Sequence, residues 1–197
     1  SPTIADLVER VLATPLNESG LKLATITPDR RLNELEFTYP LAQLRADQLR
    51  QVLDQHGLAA PPFQEMIEKL EFNPLRGYMK GFMDLVFEAE GRFYLADYKS
   101  NWLGTELAAY RRAALDEAMA RDSYVLQYLI YTVALHRYLR LRVLDYNYER
   151  HFGGVFYLFL RGMNPALGPE CGVYQDRPSL ALVKELDRLM AFGRISD

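Results

Sequence analysis

Two aspartates and one lysine stand out, because they lie where charge is least expected. They occupy a run that reads as a β-hairpin. Its first strand is Lys80-Gly81-Phe82-Met83-Asp84-Leu85-Val86-Phe87, its turn Glu88-Ala89-Glu90-Gly91, and its second strand Arg92-Phe93-Tyr94-Leu95-Ala96-Asp97-Tyr98-Lys99-Ser100. The segments otherwise look like buried strands, and charged groups seldom enter such segments unless they are paired or bind a metal. Side chains alternate faces along a strand, so Asp97 and Lys99 point one way and Tyr98 the other, with the Tyr98 carbonyl between them. The turn can bring Asp84 near Asp97, although the register is not fixed by the sequence. Two carboxylates and a carbonyl are hard oxygen donors suited to Mg²⁺ or Mn²⁺. Such an ion can activate a water and stabilise charge on a phosphate. Lys99 could position that water, or stabilise the developing negative charge. Metal-dependent phosphodiester hydrolysis requires this combination.

The surrounding elements follow from periodicity and punctuation. Thr3 caps a short helix through Leu12, with Ile4, Leu7, Val8, Val11 and Leu12 on one face. Residues 32–39 read as a strand ended by Pro40. Residues 46–56 read as a helix with Gly57 as its stop. Pro61-Pro62 marks a break before a short helix over 64–70. After the hairpin, 104–121 forms one or two helices. Ser123 caps a long helix through about Leu141, with Leu126, Leu129, Ile130, Val133, Ala134 and Tyr138 at helical spacing. Gly153-Gly154 leads into 155–160, an apolar run typical of a buried central strand. Residues 172–174 suggest a short edge strand, and 178–192 a terminal helix with Pro178 in its first turn. This order predicts an α/β fold, a small central mixed sheet flanked by helices.

Bulk properties narrow the setting. The chain has 197 residues, 49% of them hydrophobic and 25% charged, as in an ordinary globular domain. The formal net charge of -3 argues against a general nucleic-acid coating protein but allows a local basic groove. One cysteine, Cys171, excludes an intrachain disulfide and a cysteine-rich metal centre, and a reducing, cytoplasmic setting is the simplest expectation. No signal-peptide pattern and no membrane-spanning run occurs. A Walker A loop is also missing, so no ATP site is expected within the chain.

The run GYMKGFMDLVFEAEGRFYLADYKSNWLG resembles the nuclease motif of the PD-(D/E)xK superfamily, with its restriction-endonuclease-like core. More closely it resembles the C-terminal nuclease domains of the RecB family, the beta subunits of exodeoxyribonuclease V. The likeness continues through YVLQYLIY and on to ALHRYLRLRVLDYNYERHFGGVFYLFLRGM, covering about 75–178. By this resemblance Asp84 and Asp97 are metal-binding aspartates, Lys99 is the catalytic lysine, and the Tyr98 carbonyl completes the metal's coordination. Gln127 and Tyr131 match the family's Q-x-x-x-Y element. Their i, i+4 spacing places both on one helix face, where they could contact DNA phosphate, support the acidic cluster, or form a polar edge of a core helix. Glu34, which shares a strand face with Glu36, matches the upstream active-site glutamate.

The resemblance implies a Mg²⁺-dependent deoxyribonuclease acting on single-stranded DNA in double-strand break repair and recombination. Mn²⁺ is an alternative metal, and Ca²⁺ could fill the site without supporting cleavage. It also implies RecC and RecD as partner subunits and RecA as a recruited recombinase. The alternative reading is a non-catalytic docking module for those proteins. One departure stands out. The family places a metal-binding histidine on a helix upstream of the acidic strand, whereas His56, His136 and His151 all follow Glu34. The chain is therefore expected to be a single nuclease domain over 1–197, truncated at its N-terminus relative to a longer helicase–nuclease subunit. His56 is expected at a helix end, His136 in a structural role, and His151 in a turn. A subset of Arg111, Arg112, Arg121, Arg137, Arg140, Arg142 and Arg150 could line a DNA groove. Trp102, Tyr110 and Tyr124 would then be available for base stacking, although Trp102 could equally pack under the active-site loop.

Overall fold

In a computed structural model, residues 3–72 and 75–193 are described. The fold is α/β, with five strands in one mixed sheet of order β1-β2-β3-β4-β5 and helices around it. The strands are β1 (Arg31–Leu44), β2 (Leu75–Ala89), β3 (Arg92–Lys99), β4 (Phe152–Phe159) and β5 (Val173–Asp176). The helices are α1 (Ile4–Ala13), α2 (Ala46–Gln55), α3 (Gln64–Glu68), α4 (Arg112–Arg121), α5 (Tyr124–Arg142), α6 (Tyr148–His151) and α7 (Leu180–Phe192). The chain divides into two compact units, one from the start to Leu35 with Met83–Ala118 and Arg150–Arg177, the other comprising Glu36–Phe82, Met119–Glu149 and Pro178 onward. No helix among the described residues is long and apolar enough to cross a membrane.

The first unit is organised by β3. It pairs antiparallel with β2 and parallel with β4, which pairs antiparallel with β5. The β2–β3 turn is tighter than its composition suggests. Glu88 pairs with Phe93 and Ala89 with Arg92, leaving only Glu90 and Gly91 in the loop. Both have positive φ, +52° and +72°, which matches the right-handed twist of the flanking strands in a two-residue hairpin. One sheet face carries Leu85, Phe87, Tyr94, Ala96, Phe156 and Leu158, packed with Val11, Leu16, Leu23 and Ile26. Phe87, Tyr94 and Phe156 stack on one another with centroids 5.3–6.4 Å apart. This cluster pins the register, since a one-residue slip would turn every one of these rings to the other face.

The second unit packs α7 against α2 and α5. Ser179 caps α7 by accepting the Leu182 N–H at 3.2 Å, and Gly193 ends it at φ +65°. Arg137 of α5 pairs with Asp187 of α7 and lies 4.3 Å from the centre of the Tyr39 ring.

Several sequence-based expectations need correction. Pro40 does not end β1, which continues to Leu44. β1 stands at the edge of the sheet, where a missing N–H costs no ladder bond. Ser123 precedes α5 but is left-handed at φ +56°, and its side chain makes no cap bond. Pro178 lies before the Ser179 cap rather than in the first turn of α7. On α1, Val11 is buried, but Ile4, Val8 and Leu12 of the expected apolar face are exposed.

Phe156 is fully buried against the Phe87 and Tyr94 rings. Phe156→Ala should cost about 3–5 kcal/mol in urea unfolding. Leu141→Ala, at a position 84% exposed, should change stability by no more than about 0.5 kcal/mol. Equal effects would show that the aromatic stack does not hold the sheet.

Candidate active site

Alternation along β3 decides what is buried. Asp97 is 3% exposed and Lys99 9%, whereas Tyr98 between them is 39% exposed. Asp97 and Lys99 therefore lie on the face opposite the aromatic stack. Lys99 Nζ stands 2.6 Å from Asp97 Oδ2 and 5.0 Å from the centre of the Tyr157 ring on β4. Tyr157 is the register partner of Asp97, so the parallel pairing itself places the ring beneath the ammonium.

The β2–β3 ladder stops at Leu85↔Ala96. One further step of that register sets Asp84 across from Asp97, on the same face. There the Asp84 side chain takes over from the backbone, with Oδ2 accepting the Tyr98 N–H at 3.0 Å. The carbonyl of Lys99 accepts the Leu160 N–H at 3.0 Å on the β4 side. Successive carbonyls of a strand point to opposite edges, so the Tyr98 carbonyl faces the β2 side that carries Asp84. The structure thus brings together Asp84, Asp97, Lys99 and the Tyr98 carbonyl, all within the first unit.

Burial pushes the Asp97 carboxyl above the ordinary aspartate value. The hydrogen bond and charge of Lys99 oppose that rise, and the negative charge of Asp84 adds to it. Burial likewise raises the Tyr98 phenol, with Asp84 adding to the shift and Arg31 opposing it.

The donors fit one class of cation. Two carboxylates and a carbonyl are all hard oxygen, the set Mg²⁺ and Mn²⁺ prefer. They are too few to enclose an ion. No group of three or more His, Cys, Asp or Glu residues that could hold a metal occurs among the described residues. Mg²⁺ is commonly bound in this way, by one or two carboxylates with waters and substrate phosphate completing the shell.

The other expected residues fall elsewhere. Glu34 is exposed on β1 with φ +52°, a left-handed conformation that costs a non-glycine residue on the order of 1 kcal/mol. Glu34 and Glu36 are both exposed on β1, alternating with the more buried Leu35 and Phe37. No hydrogen bond or ion pair links Glu34 to the acidic cluster among the described residues. Glu36 pairs with Lys80 at 2.7 Å in the second unit.

Gln127 and Tyr131 also lie in the second unit, where Gln127 Nε2 donates to the Tyr131 hydroxyl at 3.1 Å. The Tyr131 ring meets Phe37 edge-on at 5.5 Å. Phe37 in turn accounts for Gly81, since a Cβ at Gly81 would come within 2.6 Å of that ring. This three-way contact was missed from sequence, although a glycine inside an apolar strand is itself a signal of close approach.

Of the basic and aromatic residues, Arg112 is held by Asp116, the Gln175 carbonyl and the Tyr174 ring, while Arg121 and Arg137 hold ion pairs. Tyr110 is 3% exposed, and its hydroxyl accepts the Leu103 N–H, so it cannot stack on a base. Trp102 is 66% exposed and remains available. His56 closes α2 and bonds Glu185 at 2.8 Å. His136 is buried against Tyr146 and Tyr148, and His151 ends the one-turn helix α6.

No family model matches the chain. Nearly its whole length is similar to a segment of curated proteins named RecBCD enzyme subunit RecB. It is 45% identical over 191 residues to that of Escherichia coli K12, covering 96% of this chain and 16% of the relative. It is 42% identical over 187 residues to that of Haemophilus influenzae, covering 94% and 15%. With that of Mycobacterium tuberculosis H37Rv it shares 37% over 217 residues, covering 99% and 20%. The chain therefore spans only 15–20% of the length of these relatives.

The raised Asp97 value has a definite sign. The fold favours the neutral acid, so this group's contribution to stability is full below about 3.8 and is lost as pH rises through the folded-state value. The carbon-13 titration of the Asp97 carboxyl should show a midpoint above 3.8. Lys99→Met should move it higher still, because it removes the interactions that oppose burial. A midpoint at or below 3.8, or a downward move in the variant, would contradict the buried pair.

Proposed function

From the premise that the chain belongs to the RecB family, we propose that it is a metal-dependent deoxyribonuclease domain hydrolysing phosphodiester bonds of single-stranded DNA. The observation that carries this reading is the buried Asp97–Lys99 pair with Asp84 beside it on the same sheet face. A buried ion pair is a poor way to stabilise a fold, because desolvation offsets most of its attraction. Two acids and a lysine collected at the end of a paired ladder have a better rationale as reaction chemistry.

Asp84, Asp97 and the Tyr98 carbonyl are the groups that would hold Mg²⁺, or Mn²⁺ in its place. When bound, such an ion supplies positive charge at the scissile phosphate and a more acidic water. Lys99 acts as a cation and hydrogen-bond donor, orienting the attacking water and offsetting the negative charge that grows on the phosphate. Asp97 fixes the ammonium by direct contact, and the Tyr157 ring supports it from below. Asp84 ties its own carboxylate to the β3 backbone, which limits its rotamers and keeps it near Asp97.

In the intact subunit, RecC and RecD are the proposed partners, with DNA delivered as a single strand by the helicase. Recruitment of RecA is proposed as a separate function of the domain. A RecA pull-down that survives Asp97→Ala would separate docking from catalysis.

With end-labelled single-stranded DNA and Mg²⁺, the wild-type chain should cleave, and a chelator should stop it. Asp84→Asn and Lys99→Ala should each lose at least about a hundredfold in rate, with melting curves confirming that both still fold. Near-wild-type cleavage by either folded variant would sink the assignment.

A further inference from the structure

Exposure decides between the two readings of Trp102. The chain's only tryptophan is 66% exposed, so it does not pack under the loop that carries it. Tryptophan is highly buried on average, yet one exposed apolar side chain is an ordinary surface feature. What sets Trp102 apart is that its loop is fastened on both sides of the ring. On one side, Arg161 donates through Nε to the Ser100 carbonyl at 3.0 Å. On the other, the Leu103 N–H donates to the Tyr110 hydroxyl at 3.1 Å. Tyr110 is itself a fixed post. It is buried, its carbonyl accepts the Gly172 N–H at 2.8 Å, and a Cβ at Gly162 would come within 2.3 Å of its own Cβ. Gly104 then lies so close to the turn Leu107–Tyr110 that a Cβ there would meet the Ala109 Cβ at 2.9 Å. Among the described residues the Trp102 ring has no hydrogen-bond or ring partner. All of these groups belong to the first unit.

A flat ring held still in solvent suits a ligand with a flat face of its own. Stacking of a nucleic-acid base needs only one ring and tolerates any base. The two anchors limit the backbone, and tryptophan has only two side-chain torsions, so little freedom is left to lose on binding. A protein-docking surface, by contrast, is marked by a contiguous apolar patch of more than a few hundred Å². Within residues 100–106, Asn101, Thr105 and Glu106 are polar and Leu103 is partly buried, so the ring stands alone in its loop. Trp102 follows Lys99 by three residues, so its Cα is at most about 11 Å from that of Lys99. That is the length of a few nucleotides, at roughly 3.4 Å or more each along a strand. We propose that Trp102 is a stacking platform for one base of single-stranded DNA, a few nucleotides from the bond that is cut. This rests on the nuclease reading above. It adds a residue that grips the strand by a base rather than by a phosphate.

Because the chain has one tryptophan, its intrinsic fluorescence reads this ring alone. Oligothymidylate is titrated into the protein with a chelator present, so that no strand is cut. Binding is followed in parallel by the anisotropy of a fluorescein-labelled copy. The indole emission of wild type should be quenched along the same binding curve. By anisotropy, Trp102→Ala should bind about tenfold more weakly. Trp102→Phe should recover most of that loss. Trp102→Leu, which keeps apolar surface but has no π-face, should not. Bound oligonucleotide that leaves the emission unchanged would overturn the platform, as would Trp102→Leu binding as tightly as wild type. Neither result touches the nuclease reading, which has its own cleavage assay. Quenching with weakened binding by Trp102→Ala would support the platform even if no strand were cut in Mg²⁺, so the two readings fail separately. Wild type that binds no oligothymidylate would also overturn it. Should a variant not fold, the quench in wild type decides the matter.

Discussion

A carboxylate and an ammonium buried two residues apart on one strand constrain everything around them. Asp97 and Lys99 each need the other, since either one alone would be an uncompensated charge out of water. They can meet only if β3 stays extended through Tyr98, because extension turns i and i+2 to one face. They stay buried only if β3 is flanked on both edges and covered on that face. β4 supplies one edge and the Tyr157 ring, and β2 supplies the other edge up to Leu85. The opposite face must then provide the stability that the charged pair does not, and the stacked Phe87, Tyr94 and Phe156 do so. Both faces of the sheet are apolar, with Val86, Leu95, Val155 and Phe159 buried on the side of Asp97 and Lys99, and the charged pair interrupts that side alone.

The end of the β2–β3 ladder matters as much as its beginning. Had pairing continued past Leu85↔Ala96, the polar groups of Tyr98 would be engaged by β2 backbone. Instead its N–H is satisfied by a side chain, Asp84 Oδ2. A carboxylate in that place keeps the edge of β3 satisfied while adding negative charge beside Asp97. The repulsion shows in the Asp97 carboxyl, which Asp84 helps to push upward. A divalent cation between the two acids would relieve that repulsion, so the electrostatic strain and the proposed ligand have the same origin.

What the sequence made legible was mostly periodicity. The apolar alternation of β3, its two interrupting charges and the continuous apolar run of β4 follow from side-chain geometry within one strand, and all were readable. Facts that depend on a second element were not. The helical periodicity of α1 showed an apolar stripe, but only Leu7 and Val11 of it reach the core, while Ile4, Val8 and Leu12 are exposed. Tyr110 looked like a stacking platform until its hydroxyl was seen to hold the Leu103 backbone. Arg112 and Arg137 were among the arginines of which a subset could line a DNA groove, yet each pairs with an aspartate and covers a tyrosine ring. The left-handed Glu34 was invisible because no composition rule marks a glutamate for that conformation. Tyr157 was hidden in an apolar run, and only the parallel register with β3 gives it a role.

The division into two units sharpens how the site residues should be weighed. Asp84, Asp97, Tyr98 and Lys99 are mutually engaged within one unit, so their arrangement follows from β2, β3 and β4 alone. Gln127 and Tyr131 are engaged with each other and with Phe37 in the second unit. Their i, i+4 spacing has a local explanation in that hydrogen bond and ring contact, independent of any ligand. Gly81 belongs to the same local explanation, since the Phe37 ring occupies the space a side chain would need. Only the first set carries an unresolved cost, two acids beside each other with one of them buried, and an unresolved electrostatic cost is the physical mark of a group kept for its chemistry rather than for the fold. The case for catalysis therefore rests on Asp84, Asp97 and Lys99, while the Gln127–Tyr131 pair is accounted for by packing as it stands.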